Sequence, residues 1–513
     1  MCRPRRISRC VALLTVALLA ACAPANPATS GRLPSTAAST TATASTTVIA
    51  SPTAEPTILP ARWSDCGRGF TCAEIRVPRD YAAPTEGYLN VALIRAAATD
   101  PTSRIGSLLV NPGGPGASGV DMVRNNELGL AGEVRARFDI VGFDPRGVNA
   151  STAIRCIDNL DGHDALDPSP DDTAELDALI DAARLYAEAC GSRNDTTLAY
   201  LSTDAVVQDL DLIRAAVGDE KLTYLGFSYG TLIGALYAER FPDRIRALAL
   251  DGAIDPSLDL RAVRAGQATA FEGALARFLD DCTGRPECAF HEGGQSARAF
   301  DRLMASIDAE PIPAPHLADG RLVGPGLASY AVLGALYSES YWPILELALA
   351  SAKLGDGSLM LAISDPFRGR KPNGSYSNLQ DAYTANTCLD FPAPAKVADY
   401  TAWATDFEAE SPHFAQLVAY NDLPCAFWPV PAQRVPQRVS APGAPPIVVV
   451  GTTGDPATPY AWAEALVDQI ESGVLITHKG EGHTAYLASP CVLQAINAYL
   501  LELTVPKDGL TCN

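Results

Sequence analysis

The sequence predicts an α/β fold, in which a mostly parallel central sheet is flanked by helices and a large helix-rich cap is inserted before the last two core strands. Two observations predict it. From about residue 61, short apolar runs alternate with helical patterns, which is typical of a parallel sheet built from βαβ units. The alternation stops near residue 256 and resumes near residue 441, with helical patterns and Pro-rich turns between. We therefore expect residues 61–255 and 441–513 to form the α/β core and residues 256–440 to form the cap.

Composition and charge narrow the class of protein. The chain has 513 residues, of which 47% are hydrophobic and 19% charged, and its formal net charge is −20. This apolar content excludes a globally disordered chain. The acidic excess excludes nucleic acid as the main partner, because binding to phosphates depends on clustered Lys and Arg.

Residues 1–22 have the pattern of a secretory signal peptide. Arginines precede an apolar run from Val11 to Ala20 that is too short to span a bilayer comfortably. The run leads into LAAC, which resembles a bacterial lipobox and predicts that Cys22 becomes the lipid-modified first residue of a chain anchored on the outer face of the cell membrane. Simple cleavage with release is the alternative. The pair Arg5-Arg6 is also a feature of twin-arginine export signals, which is a further alternative, although the rest of that motif is missing.

Residues 23–60 are predicted to form a disordered tether. Of these 38 residues, 29 are Ala, Pro, Ser or Thr. Such a composition buries no core and favours an extended, solvated chain. The tether would hold the folded part away from the membrane.

The elements of the core are predicted from runs of apolar residues and from helical periodicity. The predicted strands are Leu89–Ala96, Gly106–Asn111, Phe138–Phe143, Leu222–Gly226, Ala247–Asp251, Pro446–Gly451 and Gly473–Thr477. The predicted helices between them include Asp177–Cys190, Ser202–Val217, Thr231–Arg240 and Tyr460–Ile470.

The strongest chemical signal is the segment from Lys221 to Tyr237, KLTYLGFSYGTLIGALY. It places a G-x-S-x-G pentapeptide around Ser228, between an apolar run and a helical pattern, which indicates a sharp strand-turn-helix junction. Such a turn presents the serine above the sheet edge, where the N–H groups of the following helix can stabilise a developing oxyanion. Ser228 is therefore the predicted nucleophile, and a purely structural serine in this turn is the alternative.

A serine nucleophile needs a base, and the base needs an acid that orients it. In this class of sheet the chain order is Ser, then Asp or Glu, then His, after late strands. Asp455 follows the apolar run Ile447–Val450, and His483 lies in the loop GEGHT after the last predicted strand. His478, at the end of that strand, is the nearest competing base. Because a Gly-bounded loop lets the ring of His483 swing over the sheet edge, we predict Asp455 as the acid and His483 as the base.

A glycine cluster, NPGGPG from Asn111, follows the predicted strand Gly106–Asn111. It lacks the spacing and the acidic partner of a nucleotide-binding loop. The second oxyanion donor in this class of sheet comes from the loop after an early strand, and the amide of Gly114 fits because Pro115 has no N–H. Tyr229, next to the nucleophile, offers the other amide. A plain turn is the alternative for the glycine cluster.

The 13 cysteines are many for a cytosolic protein. Once the leader and Cys22 are set aside, an even ten remain, which is typical of disulfides in an oxidising compartment. Pairing in chain order would close short loops, such as Cys66 with Cys72 and Cys282 with Cys288, and other pairings stay open. With no CxxC and few nearby histidines, neither a metal site nor a cofactor is expected. The disulfide candidates are Cys66, Cys72, Cys156, Cys190, Cys282, Cys288, Cys388, Cys425, Cys491 and Cys512.

Seven segments together carry a resemblance to a known family. They are NPGGPGASG from Asn111, GFDPRGVNAST from Gly142, YLGFSYGTLIGALYAERFPDRI from Tyr224, LDGAIDP from Leu250, ANTCLD from Ala385, GDPATPYAWA from Gly454 and GEGHT from Gly480. They resemble segments of the actinobacterial secreted tripeptidyl aminopeptidases, α/β-hydrolases related to proline iminopeptidases. The similarity extends through nearly all of residues 62–513.

The resemblance implies an exopeptidase that removes short peptides, often tripeptides, from peptides or proteins with a free N-terminus. It also implies mycobacterial relatives that act as cell-envelope proteases and esterases. It carries the catalytic triad onto Ser228, Asp455 and His483, and the oxyanion donors onto Gly114 and Tyr229.

In related aminopeptidases the cap supplies acidic or amide groups that hold the α-ammonium of the substrate. The resemblance makes Asn386 and Asp390, in ANTCLD, the candidates for this contact, which an N-blocked peptide cannot make. It also implies that Cys388, between them, is anchored by a disulfide to Cys425. The alternative is that both are ordinary cap residues, and Glu339 and other cap acids are equally reachable.

Two further interpretations complete the sequence-based picture. Arg146, in the DPRG turn, matches a family position that we interpret as structural, bracing the loops around the site. An esterase or lipase acting on short acyl esters or envelope lipids is the alternative activity, because ester and amide acyl transfer need the same groups. A non-catalytic lipoprotein that has kept the fold is the alternative from another class.

Overall fold

A computed structural model describes residues 59–130 and 132–513 of the chain. The predicted leader, Cys22 with its predicted lipid modification, and all of the predicted tether but its last two residues lie outside the described residues. The described chain forms a ten-stranded sheet and a separate two-stranded one. The strands are β1 (Ser64–Asp65), β2 (Thr71–Pro78), β3 (Tyr88–Ala96), β4 (Gly106–Asn111), β5 (Phe138–Phe143), β6 (Leu222–Phe227), β7 (Ile245–Asp251), β8 (Ile312–Pro313), β9 (Leu322–Val323), β10 (Ile447–Gly454), β11 (Gly473–Glu481) and β12 (Leu510–Cys512).

The large sheet is parallel from β5 to its far edge. Its order is β1-β2-β3-β5-β4-β6-β7-β10-β11-β12, and only the first three pairings are antiparallel. In β4, Leu108 and Val110 belong to one apolar layer and Leu109 to the other, so both faces of the sheet are covered. The predicted α/β class with a mostly parallel sheet is confirmed.

Helices cover both faces of the sheet and fill the stretch between β7 and β10. They are α1 (Gly119–Arg124), α2 (Gly132–Arg137), α3 (Asp161–Asp164), α4 (Thr173–Arg193), α5 (Thr203–Ala216), α6 (Tyr229–Arg240), α7 (Leu260–Gly284), α8 (Ser296–Ala309), α9 (Pro325–Leu336), α10 (Trp342–Lys353), α11 (Ser358–Phe367), α12 (Leu379–Asp390), α13 (Val397–Glu408), α14 (Ala415–Tyr420), α15 (Tyr460–Gln469) and α16 (Pro490–Glu502). In the described chain no helix is both long and apolar enough to cross a membrane.

The helices α7 to α14 have an apolar core of their own. Phe278 and Trp342 meet edge to face at 5.7 Å between ring centroids, and Phe271 lies 5.9 Å from Phe414. These rings belong to a cluster drawn mostly from α7 to α14, separate from the two layers on the sheet. The predicted helix-rich stretch is therefore packed around its own centre.

The predicted strands coincide with observed strands, with ends that shift by up to four residues. Three strands of the large sheet, β1, β2 and β12, were not expected. The two residues of β1 and the three residues of β12 are too few to show a period, and the first four residues of β2 are partly buried or exposed. Because β12 pairs with β11, three core strands follow the helical stretch and not two.

The ten described cysteines pair in chain order. Cys282–Cys288 and Cys388–Cys425 both lie between β7 and β10. Cys491–Cys512 ties the start of α16 to β12, at the edge of the sheet. The other two pairs are Cys66–Cys72 and Cys156–Cys190.

Arg146 is fully buried. Its guanidinium donates to both carboxylate oxygens of Asp209, at 2.6 and 2.7 Å. It also donates to the backbone carbonyls of Pro78, Arg79 and Tyr200. Its contacts tie the end of β2 to α5, which is a structural role.

Candidate active site

The turn that carries Ser228 is sharp and strained. The strand β6 ends at Phe227 and α6 begins at Tyr229, so one residue connects them. Ser228 has φ +53° and ψ −124°. Residues other than glycine rarely adopt this backbone conformation, and those that do are concentrated at functional sites. The turn is held by Ser228 N–H, which donates to the carbonyl of Asp251 at 2.9 Å.

The two glycines that flank Ser228 are required by close backbone contacts. A Cβ on Gly226 would lie 2.6 Å from the carbonyl oxygen of Gly230. A Cβ on Gly230 would lie 2.9 Å from the carbonyl oxygen of Asn111, at the end of the neighbouring strand β4. The G-x-S-x-G pattern therefore follows from the packing of this turn.

Asp455 follows β10 directly, and its carboxylate is buried. It accepts hydrogen bonds from the backbone N–H of Ala457 at 2.9 Å and of Thr458 at 2.8 Å. The hydroxyl of Thr458 donates to the second oxygen at 2.9 Å. These three donors fix the orientation of the carboxylate.

His483 lies in the loop after β11 and is paired with Asp455. Its Nδ1 lies 2.9 Å from each carboxylate oxygen, so the N–H at Nδ1 donates to Asp455 and the base function is left to Nε2. Burial opposes a charge on the ring, but the carboxylates of Asp455 and Asp251 outweigh it and raise the pKa of His483 above its usual value. The pairing therefore stabilises the imidazolium that a general base forms.

The Nε2 atom of His483 is buried and has no hydrogen-bond partner among the described residues. The hydroxyl of Ser228 forms no hydrogen bond with it, although both lie at the carboxyl edge of the sheet. In unliganded enzymes such bonds are often long and tighten when substrate binds. The structure thus brings the predicted acid and base into contact and leaves the serine-histidine contact open.

A residue of the helical stretch also holds His483. The carbonyl of Tyr337 accepts from the backbone N–H of His483 at 2.7 Å. The two rings meet edge to face, with 5.2 Å between centroids. The other candidate base, His478, lies on β11 with its Nδ1 3.5 Å from the hydroxyl of Thr452 and forms no hydrogen bond with Asp455.

Asp251, the last residue of β7, was not identified from the sequence. Its fully buried carboxylate accepts the backbone N–H of Ala485 at 2.9 Å and of Tyr486 at 2.7 Å. It therefore holds the chain just after His483. Burial raises the pKa of Asp251 to about 6, against the opposing effect of these amides and of His483. Its place at the end of a core strand in LDGAIDP was the available signal.

The two predicted oxyanion donors line one cavity together with Ser228. Tyr229 is the first residue of α6, so its N–H has no acceptor within the helix. The N–H of Gly114 donates to no other group of the described chain. Next to it, a Cβ on Gly113 would lie 2.5 Å from the carbonyl oxygen of Phe227, so the glycine loop packs directly on the nucleophile turn.

Two cavities meet at this point. The smaller one, of about 100 Å³, contains Ser228 and Asp390 in its wall. The larger one, of about 370 Å³, lies among α7, α9, α11, α12 and α14. Both are bordered by Gly114 and Tyr337, so the larger cavity opens beside the predicted oxyanion site.

The structure separates the two residues predicted to hold an α-ammonium. Asp390 lies in the wall of the smaller cavity, and its carboxylate accepts from the N–H and the hydroxyl of Thr203. Burial raises the pKa of Asp390 to about 6. Asn386 is not in that wall, and its side-chain oxygen accepts from the hydroxyl of Tyr229 at 3.2 Å. Glu339 is exposed and lines neither cavity.

Comparisons with known proteins give a family model that matches the C-terminal part of the chain and relatives that cover most of it. A family model described as TAP-like protein matches residues 411–512. The serine protease Hip1 of Mycobacterium tuberculosis is 38% identical over 489 residues, covering 90% of this chain and 92% of that protein. Carboxylesterase B of the same species is 36% identical over 479 residues, covering 89% and 91%. Tripeptidyl aminopeptidase of Streptomyces lividans is 33% identical over 472 residues, covering 88% and 86%.

Proposed function

Because the chain belongs to the family of the serine protease Hip1 and the Streptomyces tripeptidyl aminopeptidases, we propose that it is a secreted serine exopeptidase that hydrolyses peptides from a free N-terminus. The single observation that carries this proposal is the contact between His483 and Asp455 at the sheet edge where the strained turn presents Ser228. Relatives named as a protease and as an aminopeptidase direct it toward peptides.

In the proposed mechanism Ser228 Oγ attacks the scissile carbonyl while His483 Nε2 takes its proton. Asp455 keeps the other ring nitrogen protonated and stabilises the imidazolium. The amides of Gly114 and Tyr229 hold the negative charge of the tetrahedral intermediate. His483 then gives its proton to the leaving amine, and water hydrolyses the acyl-enzyme by the same steps. The Nε2 atom of His483 has no hydrogen-bond partner among the described residues, which supports its role as acceptor of the serine proton.

Recognition of the free N-terminus is assigned to the Asp390 side of the smaller cavity. A buried carboxylate gains a charge-assisted hydrogen bond with an ammonium, and an N-acetylated peptide has no ammonium to offer. Asn386 supports this wall through Tyr229 and is given no direct contact with substrate. In this proposal the helical stretch from α7 to α14 acts as a cap that supplies the substrate contacts.

A carboxylesterase is the second candidate, favoured by the 36% identity with carboxylesterase B and by the apolar walls of the larger cavity. A three-substrate comparison separates the two activities: a tripeptide nitroanilide with a free N-terminus, its acetylated form and a short-chain nitrophenyl ester. We expect the kcat/KM of the peptide with a free N-terminus to exceed that of the acetylated peptide by roughly tenfold or more. Turnover of the ester alone, or equal turnover of the acetylated peptide, would reject the aminopeptidase proposal.

Export and lipid attachment are proposed from the N-terminal sequence. The five disulfides of the folded part support an oxidising compartment outside the cytoplasm. Metabolic labelling with a fatty acid tests the anchor directly. We expect label in the wild type and none in Cys22→Ala, and equal label in both would contradict lipid attachment at Cys22.

A further inference from the structure

The larger cavity has a charge pattern that the proposed mechanism does not use. Arg264 and Arg368 both line it, and both are nearly fully buried. Among the described residues, no Asp or Glu lies in its wall. The rest of the lining is mainly aromatic and aliphatic, with Phe271, Tyr330 and Phe367 among the rings.

Each guanidinium donates hydrogen bonds to a buried carboxylate. Arg264 donates through Nη2 to Asp422 at 2.9 Å and through Nη1 to Gln267 at 2.6 Å. Arg368 donates through Nη2 to Asp164 at 2.7 Å. Neither aspartate lines the cavity, so both arginines belong to its wall and their counter-charges do not.

The position of this space relates it to the reaction. It shares Gly114, Arg264 and Tyr337 with the cavity that contains Ser228. A substrate whose carbonyl lies against the amide of Gly114 therefore has a side chain or flanking residue at its entrance. At about 370 Å³ the space lies within the range of about 300–1,000 Å³ that is typical of ligand pockets.

We propose that the larger cavity is a specificity subsite for an apolar substrate side chain, and that Arg264 and Arg368 exclude side chains that end in a cation. An aromatic or long aliphatic group buries its surface against the rings of the wall. A lysine side chain would lose its hydration and meet two guanidiniums without a carboxylate to pair with. The substrate class is thus a peptide with an uncharged apolar residue at the position that enters this cavity.

The inference rests on the proposed function, because it names the substrates of that same site. Norleucine and lysine test it, since their side chains match in length and differ in the terminal group. Each is placed in turn at the three positions of a tripeptide nitroanilide with a free N-terminus. At the position that enters the cavity we expect norleucine to exceed lysine in kcat/KM by roughly 100-fold, since like-charge contact and desolvation both oppose lysine.

A paired substitution separates repulsion by the arginines from simple apolar preference. Arg368→Gln with Asp164→Asn removes both charges and keeps a donor facing an acceptor. We expect the norleucine-to-lysine ratio at that position to fall by roughly tenfold, since one of two like charges is gone. Arg264→Gln with Asp422→Asn serves as a second, independent pair should the first variant fail to fold.

The matched control is an exposed pair of the same kind, Arg261→Gln with Asp406→Asn, which lies on the surface of the helical stretch. We expect it to leave the ratio unchanged. A ratio near one at all three positions, or an unchanged ratio in the buried double variants, would overturn the inference. If the enzyme hydrolyses esters only, the proposed function is wrong, and norleucine and lysine nitrophenyl esters decide the subsite in the same way.

Discussion

Substitution of Asp251 by Asn tests how the site holds the loop of its histidine. The Asp251 carboxylate is fully buried and accepts two backbone N–H groups of the residues that follow His483. Burial raises its pKa to about 6, whereas an unfolded aspartate has a pKa of about 3.9. His483 and Asp455 are the titratable groups that act on it in the folded state.

The sign of the effect follows from proton binding. Between pH values of about 4 and 6 the folded state holds a proton on Asp251 that the unfolded state has lost, so the free energy of unfolding falls as the pH rises. At about 1.4 kcal/mol per pKa unit, the shift amounts to about 3 kcal/mol in all, of which about 2 kcal/mol falls between pH 4.5 and 7.5. Asn does not titrate, so in the variant this position contributes no fall in the free energy of unfolding as the pH rises.

The assay is urea unfolding at pH 4.5 and 7.5 with the disulfides intact, followed by tryptophan fluorescence. We expect the difference in free energy of unfolding, Asp251→Asn minus wild type, to rise by about 2 kcal/mol from the lower to the higher pH. The loss of the Asp251 charge also lowers the pKa of His483 in the folded variant. This change also makes the difference in free energy of unfolding larger at the higher pH. The exposed Asp399→Asn is the control. A difference that stays constant with pH, or that falls, would refute the reasoning.

Three further predictions concern the same site. Thr458→Val removes the hydroxyl that donates to Asp455. A hydrogen bond to a charged group contributes about 1.5–3 kcal/mol, so we expect steady-state kinetics to show a drop in kcat of roughly 10- to 100-fold; an unchanged kcat would contradict this role. Gly113→Ala places a Cβ 2.5 Å from the carbonyl oxygen of Phe227, so we expect the variant to lose turnover. Circular dichroism checks that it is folded. Turnover at the wild-type level would show that the glycine loop can move to accommodate the Cβ. Because the pKa of His483 is raised, kcat/KM should fall on acidification with a midpoint above about 6.5, and a midpoint below that value would show that the carboxylates do not dominate.

Sequence patterns predicted seven of the ten strands of the large sheet and the Ser228 turn because both depend on local signals. The bounds of β4 and β5 follow from uninterrupted apolar runs, and the G-x-S-x-G pentapeptide lies directly between an apolar run and a helical pattern in the chain. The contact of Asp455 with His483 was predicted from their places after late strands, since parallel strands bring their carboxyl ends to one edge.

The remaining features depend on contacts between distant segments. The roles of Asp251 and Thr458 depend on the folded structure, which places them beside the His483 loop and the Asp455 carboxylate. The two cap candidates are four residues apart on α12, yet only Asp390 lines the cavity, because Asn386 is turned toward the hydroxyl of Tyr229. Periodicity predicts a helix face, and the partner that this face meets is set by tertiary packing.

Covalent labelling of Ser228 tests the central claim most directly. A fluorophosphonate probe reacts with a serine that an adjacent base activates, and intact and peptide mass spectrometry locate the adduct. We expect one adduct, on Ser228, with complete loss of peptide hydrolysis. We also expect neither labelling nor hydrolysis in Ser228→Ala, with its thermal unfolding unchanged from the wild type. Retained peptide hydrolysis by folded Ser228→Ala, or an adduct on another residue, would contradict the account.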